Sequence, residues 1–347
     1  MEKLITADLY KIIFSFFNLL LFFLINRYKN KIFIRSLIDK PDNIRKFHNK
    51  PVYLIGGIFI AIYLIIILFY SYFNDQTNIF LISIISLAIF FIGLLDDCFS
   101  INAYKKLFFI FIIILMGLNF SNEINLQSLY FSTFNKSFEL GNFSFFFTAL
   151  CILLLVNALN LADGINGLAV GMSIIWLIYA YTFANSYLQI VLLPLIFLLT
   201  LLFTSIIREK FFLGDNGSLL ISGFIGLIII YIYNQNLHEN SSKISAENIF
   251  ILFMVPGIDM FRLFLERILK KKDPFEADRN HIHHLLIKRF SINTSLFLYF
   301  SVIISFILLD RSKLIETINL IIIFIIFYVV IIIKLKKIEK KNYFNIL

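Results

Sequence analysis

Long apolar runs recur along the whole of this chain, and no other feature restricts its folding as much. A helix needs roughly 17–25 predominantly apolar residues to cross the hydrocarbon core of a bilayer. About eleven such stretches are present, over 9–26, 52–72, 79–95, 107–120, 144–160, 164–184, 188–207, 217–234, 248–265, 293–309 and 316–333, the fourth being short. Backbone amides in lipid must be satisfied within the segment, and the runs lack the two-residue alternation of a barrel strand, so helices are expected. With 60% hydrophobic and 15% charged residues, a water-soluble domain is excluded. The expected fold is an all-α integral membrane protein: a polytopic bundle of about 11 transmembrane helices forming one domain over 1–347. The first 26 residues show no small-residue cleavage site, so the first span is read as a retained helix. Cys98 and Cys151 do not suggest a disulfide framework.

A net charge of +9 invites a nucleic-acid reading, but its distribution argues against one. Threading eleven spans with the N-terminus outside places 27–51, 96–106, 208–216, 262–292 and 334–347 on one side, with 25 of the 31 Lys and Arg residues. The positive-inside rule makes that side, and the C-terminus, cytoplasmic. The basic excess is therefore mostly topology, with room to attract anionic lipid head groups or a phosphorylated substrate.

Five polar islands fall on the same side. The first holds Asp39, Pro41, Arg45, Lys46 and His48, followed by Gly56-Gly57. The second is Asp96-Asp97, followed by Lys105-Lys106. Adjacent carboxylates suit a divalent cation, or a base whose pKa is raised by its neighbour; a hydrated pair ending a helix is the plainer alternative. In the third island Asn157, Asn160 and Asp163 recur every three residues and share a broad helical face, with Gly164, Asn166 and Gly167 behind them. Such oxygens suit a hard cation or the polar edges of a sugar nucleotide, whereas capping alone needs fewer polar residues. The fourth, Phe212-Leu-Gly214-Asp215-Asn216-Gly217-Ser218, resembles a phosphate-binding turn opening a helix. It lacks the Gly-Lys-Ser/Thr of a P-loop, so ATP hydrolysis is not implied. In the fifth, three of the chain's five histidines stand in Asp278-Arg279-Asn280-His281-Ile282-His283-His284. Without a nearby cysteine or a His-Glu-x-x-His spacing, zinc is a poor reading; pyrophosphate contact or acid/base work near neutral pH suits them better.

Independent caps and loops have no reason to choose one membrane face each time. A magnesium-dependent reaction on a phosphorylated, water-soluble substrate at the bilayer surface explains the shared side. A transporter or lipid flippase is the alternative from another class, but it is expected to carry ionisable groups near mid-membrane. Here most spans carry none between their ends, and Asp259 and Arg262 lie near the inner end of theirs.

Taken together, the islands resemble the polyprenyl-phosphate N-acetylhexosamine-1-phosphate transferases of glycosyltransferase family 4, which include WecA-like and MraY-like enzymes. The resemblance runs through nearly the whole chain, from Asp39-x-Pro41 to His281-Ile282-His283-His284. It implies transfer of a sugar 1-phosphate from a UDP-amino sugar to undecaprenyl phosphate, releasing UMP. Asp96 or Asp97 is implied to remove the proton of the lipid phosphate. Asn160 and Asp215 are implied to hold Mg2+, or Mn2+ in its place. Asp163 counts among the catalytic carboxylates and, with Asn166, lines the nucleotide side. Asn157 belongs with the substrate contacts, and Phe212 is implied to stack on uracil. Arg279, His281, His283 and His284 are implied to meet the sugar phosphate or pyrophosphate, and Lys46 and His48 the phosphate or lipid head. A two-step route through an aspartyl phosphate is the minority mechanism.

The isoleucine within His281-Ile282-His283-His284 is like the WecA-type branch; MraY-like enzymes carry three successive histidines there. This favours UDP-GlcNAc or a derivative over a UDP-muramoyl-pentapeptide, and surface-polysaccharide initiation such as O-antigen as the pathway. The expected setting is the plasma (cell inner) membrane, with the active site cytoplasmic and a homodimer allowed for. One departure is Asn166, where many relatives carry Asp; it puts any metal or base role there in doubt.

Overall fold

The computed structural model describes residues 2–32, 37–39, 51–238, 244–274 and 279–344. Pro41, Arg45, Lys46, His48 and Asp278 of the polar islands lie outside the described residues. The helices in chain order are α1 (Glu2–Ile32), α2 (Gly56–Phe73), α3 (Thr77–Phe99), α4 (Ala103–Leu118), α5 (Ser144–Ala162) and α6 (Leu168–Tyr181). They continue with α7 (Ser186–Ile207), α8 (Gly214–His238), α9 (Ala246–Leu269), α10 (Ile282–Ile287), α11 (Ile292–Ser312) and α12 (Thr317–Phe344). Two antiparallel pairs accompany them: β1 (Ile38–Asp39) with β2 (Val52–Tyr53), and β3 (Ser128–Phe131) with β4 (Lys136–Glu139).

The chain is an all-α polytopic membrane protein. Among the described residues nine helices are long and apolar enough to cross a membrane: α1, α2, α3, α5, α7, α8, α9, α11 and α12. Two expected spans fall short of those nine, 16 residues in α4 and 14 in α6. Asn102 caps α4 by accepting from the Tyr104 amide at 2.9 Å, which starts the helix at Ala103, ahead of the expected 107. Residues 163–167 form a turn that ends at Gly167 with φ +91°, and α6 starts only at Leu168. The 121–143 loop contains the β3–β4 hairpin, with Leu129 opposite Phe138.

The chain divides into two compact units, residues 1–127 with 140–242, and residues 128–139 with 243–347. The first is organised around α8, which packs against α2, α3, α5 and α6 and is buried from Asn216 to Asn234. Its polar side chains find partners inside the protein. Ser222 donates to the Ser218 carbonyl at 2.6 Å, and Asn234 to the carbonyls of Glu123 and Asn125 at 2.7 and 2.8 Å.

The entry to α8 is fixed by the backbone of a distant segment. The Phe212 amide donates to the Tyr53 carbonyl at 2.8 Å, and the Gly56 amide to the Phe212 carbonyl at 2.9 Å. Leu54 and Phe212 form a parallel bridge. This draws α2 onto the start of α8 so closely that a Cβ on Gly57 falls 2.0 Å from Asn216 Oδ1. Gly214 opens α8 at φ +75°, a left-handed conformation that costs glycine nothing.

In the second unit the β3 strand lies on α9, whose Glu247 carboxylate accepts from the Ser132 and Thr133 amides at 3.0 and 3.2 Å. Ser245 and Asn248 form a capping box at the start of α9, and Asn248 donates to Asp310 of α11 at 2.8 Å. The α12 helix packs on α9, α10 and α11.

Candidate active site

In the first unit, residues from four helices meet at one ammonium group. Lys106 Nζ of α4 donates to Asp96 Oδ2 of α3 at 2.7 Å, to Asp215 Oδ2 of α8 at 2.8 Å, and to Asn160 Oδ1 of α5 at 3.4 Å. Asn160 Nδ2 in turn donates to Asp215 Oδ1 at 3.0 Å and to Ser218 Oγ at 2.9 Å. The side chains of Asp96 and Lys106 are only 9% and 13% exposed, so this pair is little screened by water. Burial opposes the charge on Lys106, but Asp215 and Asp96 outweigh it and hold the ammonium above its ordinary pKa.

The neighbouring aspartates have separate duties. Asp96 Oδ1 accepts from the Ile101 amide at 2.6 Å, closing the turn after α3, while Oδ2 faces Lys106. Asp97 points at the start of α8 and accepts from the Asp215 and Asn216 amides, both at 2.9 Å, and from Asn216 Nδ2 at 2.5 Å. It caps a helix far away in sequence, satisfying amides that would otherwise be unpaired at the positive end of α8.

Asp163 ends α5, its amide bonded to the Leu159 and Asn160 carbonyls at 3.1 and 3.2 Å. The residue keeps some solvent contact, yet burial pushes its carboxyl well above the ordinary carboxylate range, with Asp215 and Asp97 adding to the effect. Asn157 lies on α5 and Asn166 in the following turn, both half-buried. Half-buried Phe212 directly precedes the α8 entry.

A second polar centre lies within the other unit. Asp259 of α9 accepts from His281 Nδ1 at 2.8 Å, Arg262 Nη2 at 2.8 Å, Tyr328 Oη of α12 at 2.5 Å and the Ile282 amide at 3.1 Å. An ionised carboxylate only accepts, so His281 carries its proton on Nδ1 and turns Nε2 away. Arg262 also donates to the Asn280 carbonyl at 2.7 Å and to Glu266 at 2.8 Å, and Lys336 completes the chain by donating to Glu266 at 2.7 Å. The rings of His281 and His283 stack at 5.3 Å, and those of His283 and His284 lie 4.2 Å apart.

Among the described residues, His283 Nε2 and His284 Nδ1 are buried without a hydrogen-bond partner, and each is a candidate ligand contact. Burial lowers the His283 pKa well below its ordinary value. It also lowers that of His284 to about 4, helped by the charges of His281, Arg279 and Lys288. Near pH 7 both rings are neutral, so the chemistry they offer is hydrogen bonding rather than charge. Asp259, His281 and His283 offer atoms within 4.8 Å of one another, but Arg262 already supplies the positive charge at Asp259.

The structure therefore joins Asp96, Asn160 and Asp215 directly, with Asp97 bound to the Asp215 and Asn216 amides, and joins His281 to Asp259. Lys106, Ser218, Asp259 and Tyr328 enter as site residues that sequence reasoning had not assigned a role. The oxygens around Lys106, from two carboxylates and one amide, have the hard-oxygen chemistry of a divalent-cation site. Asn160 and Asp215, expected to share magnesium, are in direct contact.

Comparison with known proteins fits this geometry. Residues 79–233, which hold the whole Lys106 cluster, match the family described as glycosyl transferase family 4. The chain is 31% identical over 255 residues to the probable undecaprenyl-phosphate N-acetylglucosaminyl 1-phosphate transferase of Bacillus subtilis (strain 168), covering 72% of this chain and 69% of that protein. It is 29% identical over 303 residues to the undecaprenyl-phosphate alpha-N-acetylglucosaminyl 1-phosphate transferase of Escherichia coli O157:H7, covering 82% and 77%. The Salmonella typhi protein of the same name is 28% identical over 296 residues, covering 82% and 78%. This chain belongs to glycosyl transferase family 4.

Proposed function

We propose that the protein transfers an N-acetylhexosamine 1-phosphate, with N-acetylglucosamine 1-phosphate as the expected group, from its UDP-sugar to undecaprenyl phosphate. UMP is released, and the lipid-linked pyrophosphoryl sugar starts a surface polysaccharide such as O-antigen. The observation that carries this reading is the convergence of Asp96, Asn160 and Asp215 on Lys106. The printed activities of the relatives support it.

In this reading an oxygen of the lipid phosphate attacks the sugar-bearing phosphorus. The new P–O bond forms as the bond to UMP breaks, and UMP leaves with the electron pair. Asp96 takes the proton of the attacking phosphate; Asp97 instead keeps the start of α8 in place, as its three hydrogen bonds suggest. Lys106 sets positive charge beside the carboxylates, where it offsets the charge of the phosphates. Magnesium, or manganese in its place, is proposed at Asn160 and Asp215, where when bound it neutralises pyrophosphate oxygens. Asp163, whose burial favours the protonated carboxyl, donates a hydrogen bond to the nucleotide, beside contacts from Asn157, Asn166 and Phe212. Arg279, His281, His283 and His284 take the sugar-phosphate role, and Lys46 and His48 a phosphate or lipid-head role.

The topology proposed with it has eleven crossings, an outer N-terminus and cytoplasmic polar islands in the plasma membrane, within one transferase domain. A cysteine at Lys136 should then be labelled from outside the cell and one at Lys105 only after permeabilisation. Labelling on the opposite sides would reverse the topology.

The decisive assay incubates the purified protein with undecaprenyl phosphate, magnesium and a panel of UDP-amino sugars, and follows UMP. Release with UDP-GlcNAc or a relative supports the proposal. Silence with every donor, beside a working control enzyme, overturns it. Asp215→Ala should abolish turnover in a folded protein, and Asn166→Asp should keep transfer if that position only tunes donor choice.

A further inference from the structure

Asp259 is a carboxylate that the proposed chemistry does not use, and its side chain is only 4% exposed. Its two oxygens have separate partners, all of them donors. Oδ1 accepts from Arg262 Nη2 and Tyr328 Oη, and Oδ2 from His281 Nδ1 and the Ile282 amide. These partners are held in turn. Arg262 Nε donates to Tyr328 Oη at 2.8 Å, which commits the tyrosine proton to Asp259. Arg262 Nη1 is braced on Glu266, which Lys336 of α12 grips through both carboxylate oxygens. A carboxylate fixed in this way fixes the imidazole it faces.

We infer that Asp259 is a positioning residue: it sets the tautomer and aim of His281 so that Nε2 accepts a hydrogen bond from a hydroxyl or the acetamido N–H of the UDP-amino sugar. The inference rests on the proposed transferase reading and deepens it, by dividing the work of the histidine segment. With Nδ1–H given to Asp259, a neutral ring has only a lone pair at Nε2. The pyrophosphate oxygens of a UDP-sugar also only accept, so they cannot be its partner, whereas a sugar hydroxyl or amide N–H can. Arg262 already offsets the single charge of Asp259, so a second proton on this buried ring would find no counter-charge. His283 stacks on His281 with its own Nε2 buried and, among the described residues, unpartnered, so neighbouring rings offer hydrogen bonds rather than charge. Phosphate is left to cations of the segment such as Arg279. The same geometry says what loss of one oxygen does. In Asp259→Asn the remaining oxygen is kept by Arg262, which cannot accept, so the NH2 group faces His281 and demands a lone pair on Nδ1.

The test uses the full-length protein in nanodiscs with magnesium, its isotope-labelled histidine nitrogens read by NMR and the His281 signals assigned by their loss in His281→Gln. The parent should show Nδ1 protonated and Nε2 bare. UDP-GlcNAc should move the Nε2 signal, and inorganic phosphate should not. In Asp259→Asn the tautomer should invert, and the KM for the UDP-sugar should rise about tenfold, the scale of one lost hydrogen bond, with the KM for undecaprenyl phosphate unchanged. Asp259→Glu, which keeps both oxygens, should recover the parent tautomer. A parent ring protonated at Nε2, an Nε2 signal moved equally by phosphate, or the parent tautomer in a folded Asp259→Asn overturns the inference. An equal rise of both KM values also overturns it, being the mark of a merely structural role. The parent spectra need no variant, so they decide the matter even where Asp259→Asn fails to fold. Normal UMP release with an unmoved Nε2 signal sinks this inference alone; a moved signal with no UMP from any donor sinks the transferase reading.

Discussion

Asp96 and Asp97 are identical side chains one position apart, and successive helical positions turn by roughly 100°. That rotation sends one carboxylate to Lys106 and the other to the α8 amides. The Asp-Asp pair was legible in the sequence as a unit of chemistry; the division between its members was not, because it depends on where α8 begins in space. Lys106 was hidden for a similar reason. Beside Lys105 it reads as a topology charge, and only the left-handed turn at Ser100, φ +53°, brings α4 back so that its ammonium meets α3. Lys106→Met should lower turnover about 100-fold, the scale of losing one preorganised donor at a reacting group. Unchanged steady-state turnover would reduce the lysine to a structural counter-ion. The histidines yield a pH prediction. His284 has a folded pKa of about 4 against an ordinary 6.5, so as pH falls below 6.5 the unfolded chain gains a proton that the native state refuses. This contribution to stability is therefore complete above 6.5 and lost progressively toward pH 4. His284→Gln should flatten that part of the acid dependence in thermal melts, and a slope identical to the parent's would contradict it.

At the scale of elements, the helices were readable from apolar run length, and their ends were less so. The α6 span was expected from 164, but Gly167 at φ +91° delays it. The bridge between Leu54 and Phe212 had no local signal at all, since a single bridged pair carries too little pattern to announce a partner some 160 positions away. Gly56-Gly57 was the visible trace of it. Gly57→Val should force α2 from α8 and cost roughly 1–3 kcal/mol, as overpacking does. By contrast a Cβ on Gly257 meets nothing within 4 Å, so Gly257→Ala in α9 should be neutral or stabilising by roughly 0.5–1 kcal/mol. Urea or thermal titration in detergent compares the two, and equal effects would mean that close approach at Gly57 is not the cause.

For the whole molecule, composition established a membrane protein at once, while the division into two units was invisible because it depends on which apolar faces meet. The burial of α8 bears on how such a chain is made. This helix carries Asn216, Ser218, Ser222, Asn234 and Asn236 as buried polar residues, a load tolerable only because α2, α3 and α5 shield it from lipid. All three precede it in the chain, so a polypeptide synthesised from its N-terminus delivers the shelter before the helix that needs it. In a translocon-insertion reporter, the 214–237 segment alone should therefore integrate less completely than the same segment behind residues 51–213. Equal integration would show that lipid alone can accept it. A core helix too polar to be a good lodger in the bilayer thus makes the order of synthesis part of the folding instruction.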